Sequence, residues 1–262
     1  MMLLIIEGLF IGTLLGMTGA GGGILAIPIL MWSQGWSILE AAPVGLIAIT
    51  ISAFVGTLQG LFEKTVRYKA AIWIAIFSLP SVYIGLKLSH ILPILWITIL
   101  FCLVMLIIGL KPLIFKSKCS STALCKTNPR TGRFIWNWRT RLSLGGIGIL
   151  SGVLTGLLGV GGGFVITPSL QKMTNLKFYS ITNTSLMVIF LIGSITLIMH
   201  IMQGYHYPLS ETFIFTSTCI LGLVLGRLLC KYIPVQIIKT VFSSTLICIS
   251  LLLAYKTIGY IS

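Results

Sequence analysis

Apolar residues run along this chain in long stretches, separated by short polar or basic segments. A helix needs about 20 apolar residues to cross the hydrocarbon of a bilayer. By that measure residues 41–61, 70–88, 91–115, 180–203, 211–229 and 234–258 predict six spanning helices. Two further apolar segments, 2–33 and 142–170, are each broken by a glycine cluster and then by a proline, Pro28 or Pro168. The clusters read GMTGAGGG from Gly16 and GLLGVGGG from Gly156.

The two broken segments are copies of each other. Residues 8–30 laid over 148–170 without a gap match at Gly8, Gly12, Leu14, Gly16, Gly19, Gly21, Gly22, Gly23, Pro28 and Leu30. Weaker agreement continues through Leu46 and Leu186, and Pro93 answers Pro234 at an offset of 141. A duplication of this length predicts two membrane repeats, 1–115 and 142–262, joined by a basic cytoplasmic loop at 116–141. The expected fold class is therefore all-α: a polytopic transmembrane protein of two homologous repeats, each opening with a glycine-broken helix.

The glycines fall into two kinds. Gly8, Gly12 and Gly16, like Gly148, Gly152 and Gly156, recur every fourth residue and mark a helix face where backbones approach closely. Gly21, Gly22 and Gly23, with Gly161, Gly162 and Gly163, are consecutive or nearly so; such runs cost helix stability and permit positive φ, so they should end a helix inside the membrane. Unwound backbone is tolerated there only when buried in protein or lining a watery cavity. Short helices are expected to resume over 24–31 and 164–170, with Pro28 near the first turn, where a proline does least damage.

Composition agrees with a membrane protein: 56% of the 262 residues are hydrophobic and 8% charged, with a mean hydropathy of +1.07. The N-terminus has no basic residue before Lys64, so it lacks the charged start of a secretory signal and is expected to stay as the first membrane segment. The 18 Lys and Arg against four acids lie between apolar runs rather than in a stripe, which argues against a nucleic-acid partner and for a role in orientation. If both broken segments cross fully, one side holds Lys64, Arg67, Lys69, the eight basic residues from Lys111 to Arg141, and Lys256; the other holds Lys87, Lys172, Lys177, Arg227 and Lys231, a bias of 12 to five. If each segment enters and returns, Lys172, Lys177, Arg227 and Lys231 join the basic side, Lys256 leaves it, and the bias becomes 15 to two. The second arrangement is favoured. It gives each repeat three crossings and so inverts one repeat relative to the other. Its difficulty is that residues 2–18 make about 25 Å of helix, nearly a whole span.

Helix N-termini at the breaks would offer free N–H groups and a positive dipole end, which together attract an anion. Thr18 and Thr155 beside the breaks, Thr167 and Ser169 beyond the second, and Asn183, Thr184 and Ser185 of the run TNTS at 182–185 could complete such a site. The plainer alternative is that these side chains bond to carbonyls of their own helices. Neither cluster has the GK-Ser/Thr ending or the strand context of a nucleotide loop. The acids Glu7, Glu40, Glu63 and Glu211 avoid span centres, leaving Glu7 and His200 as candidates for ion coupling or as interfacial residues. His90 and His206 are expected in loops. Cys102, Cys219, Cys230 and Cys248 are expected as buried reduced thiols, and Cys119 and Cys125 in the basic loop lack a zinc pattern. No metal or cofactor is implied.

The doubled pattern Gly12, Gly16, Gly19, Gly21, Gly22, Gly23, Pro28 and Gly152, Gly156, Gly159, Gly161, Gly162, Gly163, Pro168 resembles the sulfite exporter (TauE/SafE) family of membrane permeases. The resemblance covers essentially the whole chain. It implies a multi-pass permease of the inner or plasma membrane that moves a small sulfur-containing anion such as sulfite, thiosulfate or an organosulfonate. It leaves the substrate, direction, coupling ion and oligomeric state open. TNTS departs from the frequent form of the second repeat, where alanine or glycine precedes a threonine and serine, and the first repeat has APVG at 42–45, so an asymmetric site weighted to the second half is expected. A passive anion channel is the alternative. A polytopic lipid-modifying enzyme fits less well, since the sequence lacks a cluster of carboxylate, His or Cys near an interface.

Overall fold

The computed structural model describes residues 1–19, 21–114, 137–174, 176–202, 209–230 and 232–258. Most of the basic loop, with Cys119 and Cys125, as well as His206 and Lys231, lies outside the described residues. Ten helices are described: α1 (Met2–Thr18), α2 (Gly21–Ser33), α3 (Ile38–Phe62), α4 (Tyr68–Ile91), α5 (Ile94–Ile114), α6 (Trp138–Leu158), α7 (Gly163–Met173), α8 (Phe178–Met202), α9 (Leu209–Leu229) and α10 (Val235–Ile258). Seven of them, α3 to α6 and α8 to α10, are long and apolar enough to cross a membrane. All six helices expected as spans are present, and α6 has span length as well. His90, expected in a loop, lies in the last turn of α4.

The two broken segments fold into hairpins. Ser33 Oγ at the end of α2 donates to Glu7 Oε2 near the start of α1 at 3.0 Å, so α2 runs back alongside α1. A Cβ built on Gly22 would meet the Leu15 side chain at 2.6 Å and the Ile11 carbonyl at 3.0 Å. At the equivalent place in the second half, a Cβ on Gly162 would meet Thr155 at 2.7 Å and Ser151 at 3.0 Å. Both returns therefore close on residues two and three turns earlier in the preceding helix.

Glycine faces join the halves. Gly8, Gly12 and Gly16 of α1 lie on α9, where an added Cβ would run into Thr218 and the carbonyls of Cys219 and Leu223. Gly148, Gly152 and Gly156 of α6 lie in the same way on α4, against the carbonyls of Ile74, Ser78 and Val82. In each pair the small residues let two backbones touch, so dispersion and close dipoles replace the hydrophobic force that lipid cannot supply. Each half's opening helix thus packs on the fourth element of the other half, while α3 packs against α8 and α5 against α10. Over their most apolar stretches α3 and α8 are 67% and 61% buried, whereas α5 and α10 are 28% buried, which puts α3 and α8 at the centre and α5 and α10 at the rim. Ile24, Leu25, Ala26 and Ile27 of α2 are fully buried, so the return helices sit within the bundle. Outward positions such as Ile76, Trp96, Ile107, Leu221 and Leu251 are exposed and apolar, as a lipid-facing surface requires.

Candidate functional site at the hairpin tips

The first hairpin turns at one glycine. α1 ends at Gly19, whose φ of 66° is left-handed and whose N–H donates to the Leu15 carbonyl at 2.8 Å. A single left-handed glycine suffices to stop a helix. Gly21, Gly22 and Gly23, expected to be the unwound part, instead form the first turn of α2. Their smallness serves packing: a Cβ on Gly23 would strike the Val160 carbonyl of the other tip. Because α2 begins at Gly21 rather than at Ile24, Pro28 falls in the middle of the helix and not near its first turn. In the second half the unwinding is longer, with left-handed Gly159 (φ 71°), Gly161 (φ 76°) and Gly162 (φ 66°) before α7 starts at Gly163.

The tips pass each other. A Cβ on Gly19 would meet Thr182 near the start of α8, at 2.5 Å from Cγ2, while one on Gly159 would meet Ala42 near the start of α3 at 2.7 Å. Thr182 and Ala42 are equivalent residues of the two repeats, so TNTS and APVG occupy matching places beside the two breaks. Gly161 sits between Ile49 and Ile189 of the two central helices.

The hydroxyls divide by what they bond. Thr167 Oγ1 donates to Ser185 Oγ at 2.9 Å, and Ser185 Oγ donates to the Gly19 carbonyl at 2.9 Å. This relay ties α7, α8 and the first break together in the interior, with Ser185 0% exposed. Thr18 and Thr155 donate to the carbonyls of Leu14 and Ser151 in their own helices, both at 2.7 Å, as the plainer alternative expects. Thr184 Oγ1 donates to the Ser180 carbonyl at 2.7 Å and accepts the Arg67 backbone N–H at 3.1 Å. Asn183 Nδ2 donates to Thr65 Oγ1 at 2.6 Å. Ser169 is half-buried on α7.

One residue escaped the sequence reading. Arg227 stands at the end of the span expected over 211–229 and is counted there with the loop charges; the structure puts it in the last turn of α9 but only 5% exposed. Its Nη1 donates to the Gly56 carbonyl at 2.6 Å and to Gln59 Oε1 at 2.9 Å, and its Nη2 donates to Asn183 Oδ1. The Tyr179 ring lies 5.8 Å from the guanidinium carbon. The available signal was position: Arg227 directly follows Gly226, whose Cα packs on the Thr13 carbonyl of α1, which holds this turn inside the bundle.

The coupling candidates are placed as follows. Glu7 is buried and accepts the Ser33 hydroxyl, joining the two arms of the first hairpin. His200 lines a small cavity of about 30 Å³ with Ser89, Ala42, Pro43 and Gly156 to Gly159, beside the second break. Cys102 and Cys219 are buried free thiols, as expected, while Cys230 is half-buried and Cys248 exposed.

Residues 4–253 match the family model of the sulfite exporter TauE/SafE. The chain belongs to that family. It is 26% identical over 191 residues, 72% of this chain and 70% of the relative, to a "Probable membrane transporter protein" of Xylella fastidiosa strain Temecula1. It is also 26% identical over 216 residues to "Probable membrane transporter protein YunE" of Bacillus subtilis strain 168, covering 78% and 79% of the two chains. A second protein of that strain, "Probable membrane transporter protein YjnA", is 24% identical over 234 residues, with 86% and 87% covered. No solved structure matches the chain. Family, relatives and the seven span-length helices make this a membrane transporter, a multi-pass protein of the plasma membrane.

Proposed function

We propose that this member of the TauE/SafE family is a permease for a small sulfur-containing anion (sulfite, thiosulfate or an organosulfonate), working by alternating access. The observation that carries the reading is the meeting of two glycine-turned hairpin tips inside the bundle, with the Thr167–Ser185–Gly19 relay between them. A helix that restarts within the protein presents unbonded N–H groups and its positive dipole end to whatever lies beyond the turn. At Gly163 that start faces protein interior rather than water. In this reading Gly21, Gly22, Gly23, Gly161, Gly162 and Gly163 let an anion approach the backbone closely, and the amide of Asn183 and the hydroxyls of Thr18, Thr155, Thr184 and Ser185 contact it, the hydroxyls by exchanging their present carbonyl acceptors for the anion.

The repeats 1–115 and 142–262 are the moving units, inverted in the membrane, with the basic loop on the cytoplasmic side. The exchange of opening helices, α1 onto α9 and α6 onto α4, supports this, because an inverted pair related by a twofold axis in the membrane plane produces such reciprocal contacts. Hairpins that enter and return also give the stronger bias of basic residues to one side, with the buried Arg227 set apart from that count. The test is uptake of labelled sulfite into proteoliposomes of the purified protein, with thiosulfate and sulfate as competitors. Saturable uptake with counterflow is expected. Non-saturating flux without counterflow would replace the carrier by a channel, and no flux of any sulfur anion would remove the substrate assignment.

A further inference from the structure

Among the described residues, the buried cation Arg227 hydrogen-bonds only neutral partners. All three of its hydrogen-bond acceptors, the Gly56 carbonyl, the Gln59 amide and the Asn183 amide, are uncharged. The nearby carboxylate of Glu63 is engaged elsewhere, accepting the Tyr179 hydroxyl at 2.6 Å. A charge withdrawn from water without a counter-ion is among the costliest groups a fold can hold, and within a membrane protein it marks function. A second arginine starts from the same neighbourhood: the Arg67 backbone N–H bonds Thr184, next to Asn183, and among the described residues its buried Nε has no hydrogen-bond partner.

The duplication shows that the scaffold does not need this charge. Gly85 and Gly226 correspond at the offset of Pro93 and Pro234, and they pack on the carbonyls of Val153 and Thr13, themselves equivalent. The residue after Gly226 is Arg227; the residue after Gly85 is Leu86, buried at 2% exposure. Asn183 corresponds to Pro43. Matching packing is thus achieved in the first half by an apolar side chain.

We infer that Arg227, with Arg67 beside it, is the cationic binding element for the transported anion at the basic-side ends of α3, α8 and α9. Asn183 and Gln59 hold the guanidinium when no anion is present and yield it to an oxyanion with two adjacent oxygens, which matches the planar fork of an arginine. Asn183, besides its own amide contact, therefore also positions Arg227. The inference rests on the permease reading and adds the charge that the glycine tips lack.

The discriminating variant is Asn183→Asp, which gives Arg227 a permanent internal carboxylate. Binding of sulfite, thiosulfate and phosphate to the purified protein is followed by calorimetry and by the shift of the thermal midpoint, alongside counterflow in vesicles. The expected result is a higher midpoint without anion, together with anion affinity lower by about tenfold or more, the order of discrimination that one charge-assisted contact supplies. Arg227→Gln should abolish binding in protein that still elutes as a folded species. If Asn183→Asp binds and moves the anion like the unmodified protein, Arg227 is structural and the inference falls while the permease reading stands. If phosphate binds in an Arg227-dependent way and no sulfur anion does, the substrate assignment falls and the inference stands. If none of the three anions binds the unmodified protein, both fall.

Discussion

Where α8 begins, Asn183, Thr184 and Ser185 hydrogen-bond with Thr65, Arg227, the Arg67 backbone and the Gly19 carbonyl, and Thr182 packs on Gly19. Where α3 begins, the equivalent Ala42, Pro43, Val44 and Gly45 meet Gly159 and the side chains of Ala26 and Ile27, and the arginine's counterpart is Leu86. Backbone contacts are repeated between the two places and side-chain chemistry is not. Glycine positions are constrained by carbonyls that would clash with any Cβ, so they persist in both copies. The side chains beside them are free to specialise, and polarity has collected in one half. The breaks differ in the opposite sense: among the described residues the polar side has one left-handed glycine, the apolar side three.

The largest expected effect comes from making the two places alike. Arg227→Leu copies the first half and leaves Asn183, Gln59 and the Gly56 carbonyl without their donor. Each buried neutral acceptor left unsatisfied costs about 1–3 kcal/mol, and the anion loses its cation, so transport in vesicles should fall by about 100-fold or more. Retained transport would show that the polar half is not the working half.

Next come the turns. Gly162→Val places a β-branched residue at φ 66° and against Thr155, whereas Gly22→Val stays helical and meets the Leu15 side chain and Ile11 carbonyl. Left-handed backbone costs a non-glycine residue about 1–2 kcal/mol beyond the clash. Transport should be abolished by both changes with protein still in the membrane, and the thermal midpoint should drop further for Gly162→Val. Equal midpoints would mean that packing alone, and not backbone conformation, holds the longer break.

Ser185→Gly copies Gly45 and cuts the relay between Thr167 and the Gly19 carbonyl. An unsatisfied buried polar group costs about 1–3 kcal/mol, so the KM for uptake should rise roughly tenfold with smaller change in maximal rate. A fall in maximal rate at constant KM would assign the relay to the moving step instead. Tyr179→Phe should do least: it removes the Glu63 hydrogen bond near the surface and keeps the ring over Arg227, so uptake should change by about twofold or less. A larger loss would bring Glu63 into the site.

Much of this architecture could be read from residue order. Span-length apolar runs located the long helices because lipid demands length and apolarity from each segment separately. Glycines at every fourth residue announced the α1–α9 and α4–α6 contacts without naming the partners. Pro28 and Pro168 were legible as interruptions, yet the helix start that decides where Pro28 falls depended on which glycine turned left-handed. Gly19, the glycine that turns, lies against Thr182 so closely that no Cβ would fit there, a contact between residues far apart in sequence. Arg227 was misread for the same reason: by sequence it stands at the end of a span, among residues that usually reach water.

Residue order is enough for the membrane class, the duplication, the two glycine-broken segments, the charge bias that favours their entering and returning, and the family, since each depends on composition or spacing along the chain. Packing adds that the tips of these segments meet and that a buried guanidinium is held by Asn183 and Gln59. Those outcomes depend on which backbones can approach and which buried donor finds an acceptor, and such pairings exist only once α1, α3, α8 and α9 are packed together.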